Sequence, residues 1–399
     1  MSNSSLIYVF SLAFEPYIGG AEIALREIAE RMPGMRFRIY TSYALKRFPL
    51  LYPERITRKG NITIVRVGPR IRYLAQYLFP IFATIRAFRD AVLDHPRAVW
   101  GMLESYGGIA AYLFHLGKPS VPYLLTMQSG DSEEFWRMRI WFWKPLYKKI
   151  YTRAGRIQAI SNFLAKRARS YGASPDIITV IPNGITIGAF DIDVSGEQRR
   201  QIRKKIGISE RSFCVLTTSR LEYKNGVDVL IKGFAEWLRA HREYDAVLVI
   251  AGRGTLASSL IQLAEKEGIT GQVKFLGEIS NAALPEYYKA ADVFTRLSRS
   301  EGLGISFLEA MASGVPMIGT CVGGIPEFLI DGETGLLVQP DDPQGFANAL
   351  ERFANDHVLR EKVVMQAKML VYERYSWDSI AGEMNKLFDS LVFMHTSTT

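Results

Sequence analysis

This chain of 399 residues has few cysteines and few long apolar runs, and each scarcity excludes some classes of protein. The two cysteines, Cys214 and Cys321, both lie in apolar, strand-like runs, which argues against a disulfide framework and favours a reducing compartment. Both are interpreted as small core residues. The longest apolar stretch, near residues 73–85, contains Gln76 and Pro80 and is too short to span a bilayer. No basic segment precedes the apolar residues 6–14, so a cytoplasmic protein, dissolved or peripheral to a membrane, is predicted.

Signatures of metal and nucleic-acid binding are also missing. The five histidines show no metal-ligand spacing. The triplet Asp191-Ile192-Asp193 resembles a metal-binding motif, but it lies in a presumed linker and not at a strand end, so we interpret it as chance. No nucleic-acid recognition motif is found. We therefore predict no metal, no other cofactor and no nucleic-acid partner.

Length and periodicity predict two α/β domains. A chain of 399 residues exceeds the size at which a single hydrophobic core stops growing. Short apolar strand patterns alternate with helical patterns along both halves, which is typical of doubly wound parallel sheets with ligands at the carboxyl ends of the strands. We predict a first domain over residues 1–190, a polar linker over 191–201 and a second domain over 202–376.

Charge is distributed unevenly between the two halves. Residues 1–190 carry 26 basic and 12 acidic side chains, a balance of +14, whereas residues 191–399 carry 23 and 28, a balance of −5, which together restore the net +9. The basic half is expected to meet an anionic partner: a membrane surface, a phosphate-bearing acceptor or, by charge alone, nucleic acid.

The segment EGLGISFLE, residues 301–309, carries the strongest functional signal. Its glycines allow the backbone to approach a ligand closely, and the N–H groups where the following helix begins form an anion site suited to a diphosphate. The carboxylates of Glu301 and Glu309 can accept hydrogen bonds from vicinal hydroxyls of a sugar or a ribose. By itself this spacing is also compatible with an ordinary loop-to-helix junction.

Further glycine-bearing motifs follow in a fixed order: EAMASGVPMIGT at 309–320, GGIPE at 323–327 and DGETGLLV at 331–338. With these motifs the chain resembles the family 4 retaining glycosyltransferases, and matching segments elsewhere extend the resemblance over nearly the whole chain. The resemblance implies the GT-B fold, in which two Rossmann-like domains face each other across a cleft. It also implies that a last helix, residues 377–393, packs back on the first domain.

The resemblance implies a metal-independent, retaining enzyme of the hexosyltransferase type. Its donor would be a UDP-, GDP- or ADP-sugar and its acceptor a sugar or a lipid-linked sugar, in the biosynthesis of cell-surface polysaccharide or glycolipid. Glu301 would orient the donor sugar and Glu309 the ribose, with Gly302, Leu303 and Gly304 around the diphosphate.

Cations are expected on the loop that follows the first strand of the second domain, SRLEYKNGV at 219–227. Arg220 and Lys224 would neutralise the charge that builds on the departing diphosphate. The spacing departs from the commonest family pattern, because Asn225 occupies the usual lysine position and Lys224 comes one residue earlier.

Other candidate donor contacts are spread over both domains. Gly19 and Gly20 form a glycine pair between the first strand and a helix, where exposed N–H groups would reach a diphosphate or the acceptor. Gly252 resembles the glycine turn beside the nucleotide, and Leu276 and Ile279 lie in a segment that resembles the base contact of the family.

Gln128 marks a second departure. Many members of the family carry a histidine after this strand, near the reacting sugar carbon. Glutamine can hold a hydroxyl in place, but it cannot transfer a proton at neutral pH, so a mechanism that needs a histidine base here is disfavoured.

Two basic, aromatic segments suggest contact with an anionic membrane. Residues 135–149 interleave tryptophans with arginines and lysines, a composition that favours the lipid headgroup zone. Residues 70–89 repeat apolar side chains at near-helical spacing between arginines. A core helix with a solvated basic face remains the alternative for both segments.

Three other functions are compatible with parts of this pattern. An epimerase-like enzyme of the same fold would bind a nucleotide sugar without transferring it. A non-catalytic scaffold that docks on a membrane would tolerate the loss of Glu301. A nucleic-acid binder would show salt-dependent affinity without specificity for a nucleotide sugar.

Overall fold

The structure is a computed structural model that describes residues 5–16, 19–43, 55–69, 72–131 and 141–396. The chain divides into two compact units: an N-terminal unit, Met1–Asn183 with Trp377–Thr399, and a C-terminal unit, Gly184–Ser376. The division falls after Asn183 and not after residue 190. Residues 191–201, assigned above to a linker, include the first turns of a helix, Gly196–Lys205, whose N-cap Ser195 accepts from the N–H of Gln198. This capping box explains why the polar segment begins a helix instead of forming an irregular linker.

The N-terminal unit is built on a sheet whose described strands follow the order β3-β4-β2-β1-β5-β6-β7-β8. Among the described strands, all neighbours pair parallel except β3 and β4, which pair antiparallel. The strand bounds are β1 Ser5–Phe10, β2 Met35–Ser42, β3 Ile56–Lys59, β4 Ile62–Val67, β5 Ala98–Met102, β6 Tyr123–Met127, β7 Arg156–Ala159 and β8 Ile178–Val180.

Helices cover this sheet and complete its core. The described helices are α1 Gly20–Glu30, α2 Arg72–Asp90, α3 Gly108–Gly117, α4 Lys144–Thr152, α5 Asn162–Ser170 and the last helix of the chain, α14 Trp377–Thr396. The last helix belongs to this unit because Trp377, Met384 and Phe388 are buried in one apolar cluster with Ile7 and Leu25. Their spacing of seven and four residues places them on one helix face.

The C-terminal unit, residues 184–376, contains a parallel sheet in the order β11-β10-β9-β12-β13-β14. The strand bounds are β9 Phe213–Thr218, β10 Ala246–Ala251, β11 Val273–Gly277, β12 Val293–Arg296, β13 Met317–Thr320 and β14 Leu336–Val338. The helix bounds are α6 Ile187–Phe190, α7 Gly196–Lys205, α8 Val227–Ala240, α9 Ala257–Lys266, α10 Leu284–Ala290, α11 Ile305–Ser313, α12 Pro343–Asn355 and α13 His357–Arg374. In α8, Leu230, Phe234 and Trp237 recur at helical spacing and are buried against the sheet.

The doubly wound architecture predicted from periodicity is confirmed in both units. One interpretation was wrong: Cys214 is buried in β9, but Cys321 is exposed. Cys321 directly follows β13, so it lies beyond the end of the covered strand. Burial raises the pKa of the Cys214 thiol to about 12, as expected for a core residue.

Candidate active site

The strand order of the C-terminal unit locates the candidate site. With the strands numbered from 1 within this unit, their spatial order is 3-2-1-4-5-6. The first three strands are laid down toward one edge of the sheet and the last three toward the other edge, so the order switches direction between β9 and β12. Ligands of open α/β sheets bind beyond the carboxyl ends of the strands at such a switch point. The loop after β9 contains Arg220 and Lys224, and the loop after β12 contains Glu301, so the sheet brings these predicted residues to the same edge.

Glu301 is held by an arginine that the sequence analysis did not select. Arg296 is the last residue of β12, and its Nη2 lies 2.6 Å from Glu301 Oε2 in an ion pair that lacks hydrogen-bond alignment. The side chains of Arg296 and Glu301 are 14% and 15% exposed, so the pair is largely desolvated. Arg296 also donates to Asn225 Oδ1 at 3.0 Å and to Ser306 Oγ at 3.1 Å. Its guanidinium thus joins the loops after β9 and β12 to the first turn of α11.

The glycine turn after Glu301 leads into α11. The Gly302 N–H donates to Glu301 Oε1 at 3.0 Å, so the second carboxylate oxygen is also engaged. Gly304 is the N-cap of α11, and no acceptor among the described residues takes a hydrogen bond from the N–H of Leu303 or Gly304. Together with the N–H groups of Ile305 and Ser306 at the start of α11, these donors can receive a phosphate.

Glu309 lies in the second turn of α11, in a separate polar cluster. Tyr288 of α10 donates to Glu309 Oε2 at 2.7 Å, and the Tyr288 hydroxyl also lies 2.9 Å from the hydroxyl of Thr218 at the end of β9. Burial raises the pKa of Glu309 to about 7, against the opposing effects of the Tyr288 hydrogen bond and the Arg296 guanidinium. The half-buried carboxyl is therefore poised between its two protonation states near neutral pH.

The predicted cations lie on the loop after β9. The Arg220 side chain is exposed, and its carbonyl accepts from the Asn225 amide. Lys224 is half-buried, and its carbonyl accepts from the Arg299 N–H at 2.7 Å. Asn225 itself is buried. Its side-chain amide donates to the Arg220 carbonyl and accepts from the Arg296 guanidinium, so the residue at the usual lysine position connects two arginines.

The neighbouring strands hold this edge together through close backbone contacts. The Gly252 N–H donates to the Gly277 carbonyl at 2.7 Å, and a Cβ at Gly252 would lie 1.8 Å from the Ser219 carbonyl oxygen. Gly252 therefore allows the loops after β9 and β10 to touch. Leu276 at the end of β11 and Ile279 just beyond it are half-buried, next to this turn.

Gly323 lies against the backbone of Glu301. Gly323 has φ +58°, and a Cβ there would lie 1.8 Å from the Glu301 carbonyl oxygen. The Gly324 N–H approaches the same oxygen at 3.4 Å. The GGIPE motif thus has a physical role, since a side chain at residue 323 would displace the backbone that carries the Glu301 carboxylate.

In the N-terminal unit, Gln128 follows β6 and pairs with Asn183. The Asn183 Nδ2 donates to Gln128 Oε1 at 3.0 Å, while Gln128 Nε2 and Asn183 Oδ1 are buried without a partner among the described residues. The two amides retain one donor and one acceptor, the groups needed to hold a hydroxyl.

A buried carboxylate lies beside this amide pair. Glu104 is fully buried in an irregular turn, Leu103–Gly107, that begins with Leu103 at φ +66°. Burial raises the pKa of Glu104 above its usual range, and Arg167, whose Nη1 lies 3.4 Å from Glu104 Oε1, opposes that rise. The Arg167 guanidinium also donates to the carbonyls of Ser129 and Asp131, at 3.1 and 3.0 Å, and so fixes the loop after Gln128.

The glycine pair at the start of α1 makes a local contact. Gly19 and Gly20 are exposed, and the Gly19 N–H donates to Glu22 Oε2 at 2.8 Å. Residues 17 and 18 of this loop lie outside the described residues. Burial raises the pKa of Glu22, and the hydrogen bond from the Gly19 N–H, which holds the carboxyl at the helix start, opposes that rise.

The described residues contain no group of three or more His, Cys, Asp or Glu side chains placed to hold a metal ion. Asp191, in the triplet considered above, accepts from Lys368 Nζ at 2.7 Å and from the Tyr372 hydroxyl. Among the described helices, none combines the length and apolarity needed to cross a bilayer.

The two segments predicted to contact a membrane differ in the structure. Residues 135–140 of the tryptophan-rich segment lie outside the described residues. Trp143 and Tyr147 in its remainder are buried, and Trp143 Nε1 donates to the Tyr77 carbonyl of α2 at 3.3 Å, so these aromatics belong to the core. In α2, by contrast, several apolar side chains on one face are exposed: Leu74 by 50%, Ile81 by 38%, Phe82 by 43% and Ile85 by 46%.

The residues that sequence reasoning missed are those whose role depends on long-range contacts: Arg296, Tyr288, Thr218, Glu104, Arg167 and the side chain of Asn183. One signal was available for Arg296. It ends the strand VFTR, whose other residues are all buried, and a charge at the carboxyl end of an apolar strand indicates a site residue.

Comparison with known proteins identifies first the fold and then the family. The crystal structure of Anabaena HepE in complex with UDP-glucose superposes with a TM-score of 0.78 at 18% identity, covering 96% of this chain and 99% of that one. This likeness shows the two-domain GT-B glycosyltransferase fold, as predicted. Family models described as "Glycosyl transferases group 1" and "Glycosyltransferase Family 4" match residues 198–370 and 18–188. The chain belongs to the family 4, group 1 type glycosyltransferases.

Curated relatives match over part of their length. An uncharacterized glycosyltransferase of Methanocaldococcus jannaschii is 37% identical over 57% of this chain and 58% of its own length. A GDP-mannose-dependent monoacylated alpha-(1-6)-phosphatidylinositol monomannoside mannosyltransferase of Corynebacterium glutamicum is 30% identical over 61% of this chain and 64% of its own length. The match therefore spans less than two thirds of each of these relatives.

Proposed function

We propose that the protein is a retaining glycosyltransferase that moves a glycosyl group from a nucleoside-diphosphate sugar to a sugar or lipid-linked sugar acceptor. The observation that carries the proposal is the cluster at the switch point of the C-terminal unit, where Arg296 clamps Glu301 beside the start of α11. Oriented carboxylates next to N–H donors that no described residue accepts from suit a ligand that combines hydroxyls with phosphates. The names of the relatives, which include a GDP-mannose-dependent enzyme, support a nucleotide-sugar donor.

Each group of the cluster has a proposed partner on the donor. Glu301 accepts from hydroxyls of the sugar, and Glu309 accepts from the ribose. The N–H groups of Gly302, Leu303 and Gly304 with those of the first turn of α11 bind the diphosphate, and Arg220 and Lys224 neutralise the charge that it gains on leaving. Because the Gly302 N–H is bonded to Glu301 Oε1, we expect Leu303 and Gly304 to supply the stronger phosphate contacts.

The reaction follows from these roles. The bond between the anomeric carbon and the diphosphate oxygen breaks, while the acceptor hydroxyl forms a new bond to that carbon on the same face. The hydroxyl proton passes to a leaving phosphate oxygen, so the reaction needs stabilisation of the leaving group more than a protein base. Gln128 and Asn183 would hold a substrate hydroxyl and transfer no proton, which is compatible with glutamine at this position.

The acceptor is proposed to be presented at the cytoplasmic face of an anionic membrane, in the synthesis of cell-surface polysaccharide or glycolipid. The exposed apolar face of α2, defined by Leu74, Ile81, Phe82 and Ile85, supports this, as does the basic balance of residues 1–190. The phosphatidylinositol mannoside named for the Corynebacterium relative is a lipid-linked acceptor and is consistent with it.

Product analysis tests the proposal. Purified protein is incubated with radiolabelled UDP-glucose, GDP-mannose and ADP-glucose, with and without a panel of lipid-linked sugars, and the anomeric configuration of the product is determined by NMR. Transfer that requires acceptor and retains configuration supports the proposal. Conversion of the donor sugar without acceptor would identify an epimerase-like enzyme instead. Failure to bind any of these donors would favour the scaffold.

A further inference from the structure

Arg296 was given no contact with the donor above, but its guanidinium contacts Glu301, Asn225 and Ser306. It ends β12 after the buried residues Val293, Phe294 and Thr295, and so projects from the carboxyl edge of the sheet at the switch point. Its side chain is only 14% exposed, and charged side chains are seldom buried without a specific reason.

Three different segments are joined by this guanidinium. Nη2 contacts Glu301 in the loop after β12, at 2.6 Å, and Asn225 in the loop after β9, at 3.0 Å. Nη1 donates to Ser306 in the first turn of α11, at 3.1 Å. A planar guanidinium can direct donors toward several acceptors at once, whereas an ammonium acts as a single point charge.

We propose that Arg296 is a positioning residue of the donor site, which fixes the Glu301 carboxylate and fastens the loops after β9 and β12 to the start of α11. This inference rests on the proposed function, because Glu301 must act on a donor sugar for its orientation to matter. Arg296 thereby holds in one arrangement the loop that carries Arg220 and Lys224 and the helix start that faces the phosphates. The effect of losing it should appear in turnover, because catalysis depends on how well the reacting groups are aligned.

The charge of Arg296 provides an independent readout. Two titratable groups act on Glu309: Tyr288 from α10 and Arg296 from β12. Both lower the pKa of Glu309 against the larger effect of burial. Removing the Arg296 charge should therefore move the titration of Glu309 to higher pH, which the loss of a remote ion pair would not do.

Two substitutions of Arg296 separate charge from geometry. Arg296→Gln removes both, and Arg296→Lys keeps the charge but cannot reach Glu301, Asn225 and Ser306 together. Arg199→Gln is the matched control. Arg199 forms a 2.7 Å ion pair with Asp292, which directly precedes the first residue of β12, whereas Arg296 is its last residue. Ser306→Ala, which removes a single acceptor of the guanidinium, serves if the Arg296 variants unfold.

The measurements are kcat and KM for the donor that the wild type uses, together with an NMR titration of glutamate carboxyl carbons in the ligand-free protein. Glu309→Gln assigns the Glu309 signal. We expect Arg296→Gln to lower kcat by about ten- to a hundredfold and to raise the pH at which Glu309 titrates. Arg296→Lys should restore the titration but not kcat, and Ser306→Ala should lower kcat by a smaller factor. Arg199→Gln should change neither quantity.

Any one of three results would overturn the inference. The first is a kcat of Arg296→Gln within twofold of an active wild type, and the second is an equal loss of kcat in Arg296→Gln and Arg199→Gln. Full rescue of kcat by Arg296→Lys would also overturn it, because charge alone would then suffice. Failure of the proposed function gives a different pattern, in which the wild type itself neither binds nor transfers any of the three donors while the Glu309 titration still responds to Arg296→Gln.

Discussion

The Glu301 carboxylate combines features of a binding group and a structural one. It is 15% exposed and paired with Arg296, but it lies at the carboxyl edge of the sheet, where ligands bind. We expect Glu301→Gln to lower kcat/KM by about ten- to a hundredfold, because a charged hydrogen-bond pair with the substrate is worth about 1.5–3 kcal/mol. The midpoint of thermal unfolding should fall as well, because the Arg296 guanidinium loses its carboxylate partner in a largely desolvated ion pair.

Glu267→Gln is the control for Glu301→Gln. Glu267 is a similarly shielded carboxylate, 19% exposed and ion-paired with Arg239, but it caps α9 away from the cluster. Its loss should leave kcat/KM unchanged. Activity of Glu301→Gln within twofold of wild type would remove Glu301 from the site.

Glu309 should make folding stability depend on pH. Its pKa is raised from about 4.5 to about 7 in the folded state, so the folded protein holds this proton more tightly than the unfolded chain. The resulting stabilisation is complete below pH 4.5 and is lost as pH rises through 7, by on the order of 3 kcal/mol. Glu309→Gln, which can still accept from Tyr288, lacks this dependence. The free energy of unfolding is measured with urea at pH 5 and pH 8 for both proteins. The variant should gain stability relative to the wild type at pH 8. If the difference between the two proteins is the same at both pH values, the raised pKa is contradicted.

At the scale of single residues, the sequence could predict groups that lie in one short motif. Glu301 and Glu309 stand within one loop-helix segment, and their local spacing is visible in the chain. Arg296 was not predicted because its contacts with Asn225 and Ser306 exist only once β9 and β12 are neighbours. The Gln128–Asn183 pair was missed for the same reason, since its members follow different strands.

At the scale of elements, the alternation of strands and helices was predictable because most strands are continuous apolar runs. Nearly every residue is buried in the strands Arg156–Ala159, Ala246–Ala251 and Met317–Thr320, so these strands carry a clear pattern in the sequence. β3 was missed because ITRK is short, charged and largely exposed at an edge, so it carries no burial pattern. The irregular turn Leu103–Gly107 was missed because its shape depends on buried packing and not on a turn motif.

The GGIPE turn offers a test of an element that supports the site. In Gly323→Ala the new Cβ would lie 1.8 Å from the Glu301 carbonyl oxygen, at a φ of +58°. In Gly332→Ala the φ is similar, +71°, but nothing lies within 4 Å. The control should lose about 1 kcal/mol of unfolding free energy from backbone strain alone. Gly323→Ala should lose more and also reduce kcat, because Glu301 is displaced; equal stability and equal activity of the two variants would show that the contact is unimportant.

At the scale of the whole molecule, composition and alternation sufficed to predict two doubly wound units. The boundary between the two units was harder to predict. The polar residues 191–201 look like a linker, but the capping residues Ser195 and Gln198 start a helix there. The return of α14 to the N-terminal unit was inferred only from the resemblance. Its burial depends on packing Trp377 and Phe388 against residues far away in the chain.

The charge arrangement of the whole molecule leads to an expectation about metals. We expect transfer to persist in excess EDTA, because Arg220, Lys224 and the helix N-terminus can stabilise the leaving diphosphate electrostatically. Initial rates are measured with donor and acceptor before and after chelation, and with MgCl₂ added back. Complete loss of activity that magnesium restores would show that the metal-independent assignment is wrong.

The exposed apolar face of α2 should attach the protein to an anionic bilayer. Co-sedimentation is measured with vesicles containing phosphatidylserine or phosphatidylcholine alone. Replacing Ile81, Phe82 and Ile85 by Ser removes apolar area worth about 0.8 kcal/mol per buried CH₂ group, so binding to the anionic vesicles should fall strongly. The matched control replaces Val358, Met365 and Met369, exposed by 76%, 59% and 66% on α13 of the other unit, and should bind as wild type does.

Charge should contribute to the same attachment. Lys144, Lys148 and Lys149 are exposed on α4, whose N-cap Trp143 contacts α2, and each basic group near an anionic surface adds about 1 kcal/mol. Replacing the three lysines by Ser should therefore weaken binding to phosphatidylserine vesicles, and added salt should have the same effect on the wild type, because it screens exposed charges. Donor hydrolysis in solution should stay unchanged in every variant. Equal sedimentation of the wild type, the α2 variant and the lysine variant would mean that this face is solvated surface and that the acceptor reaches the enzyme from solution.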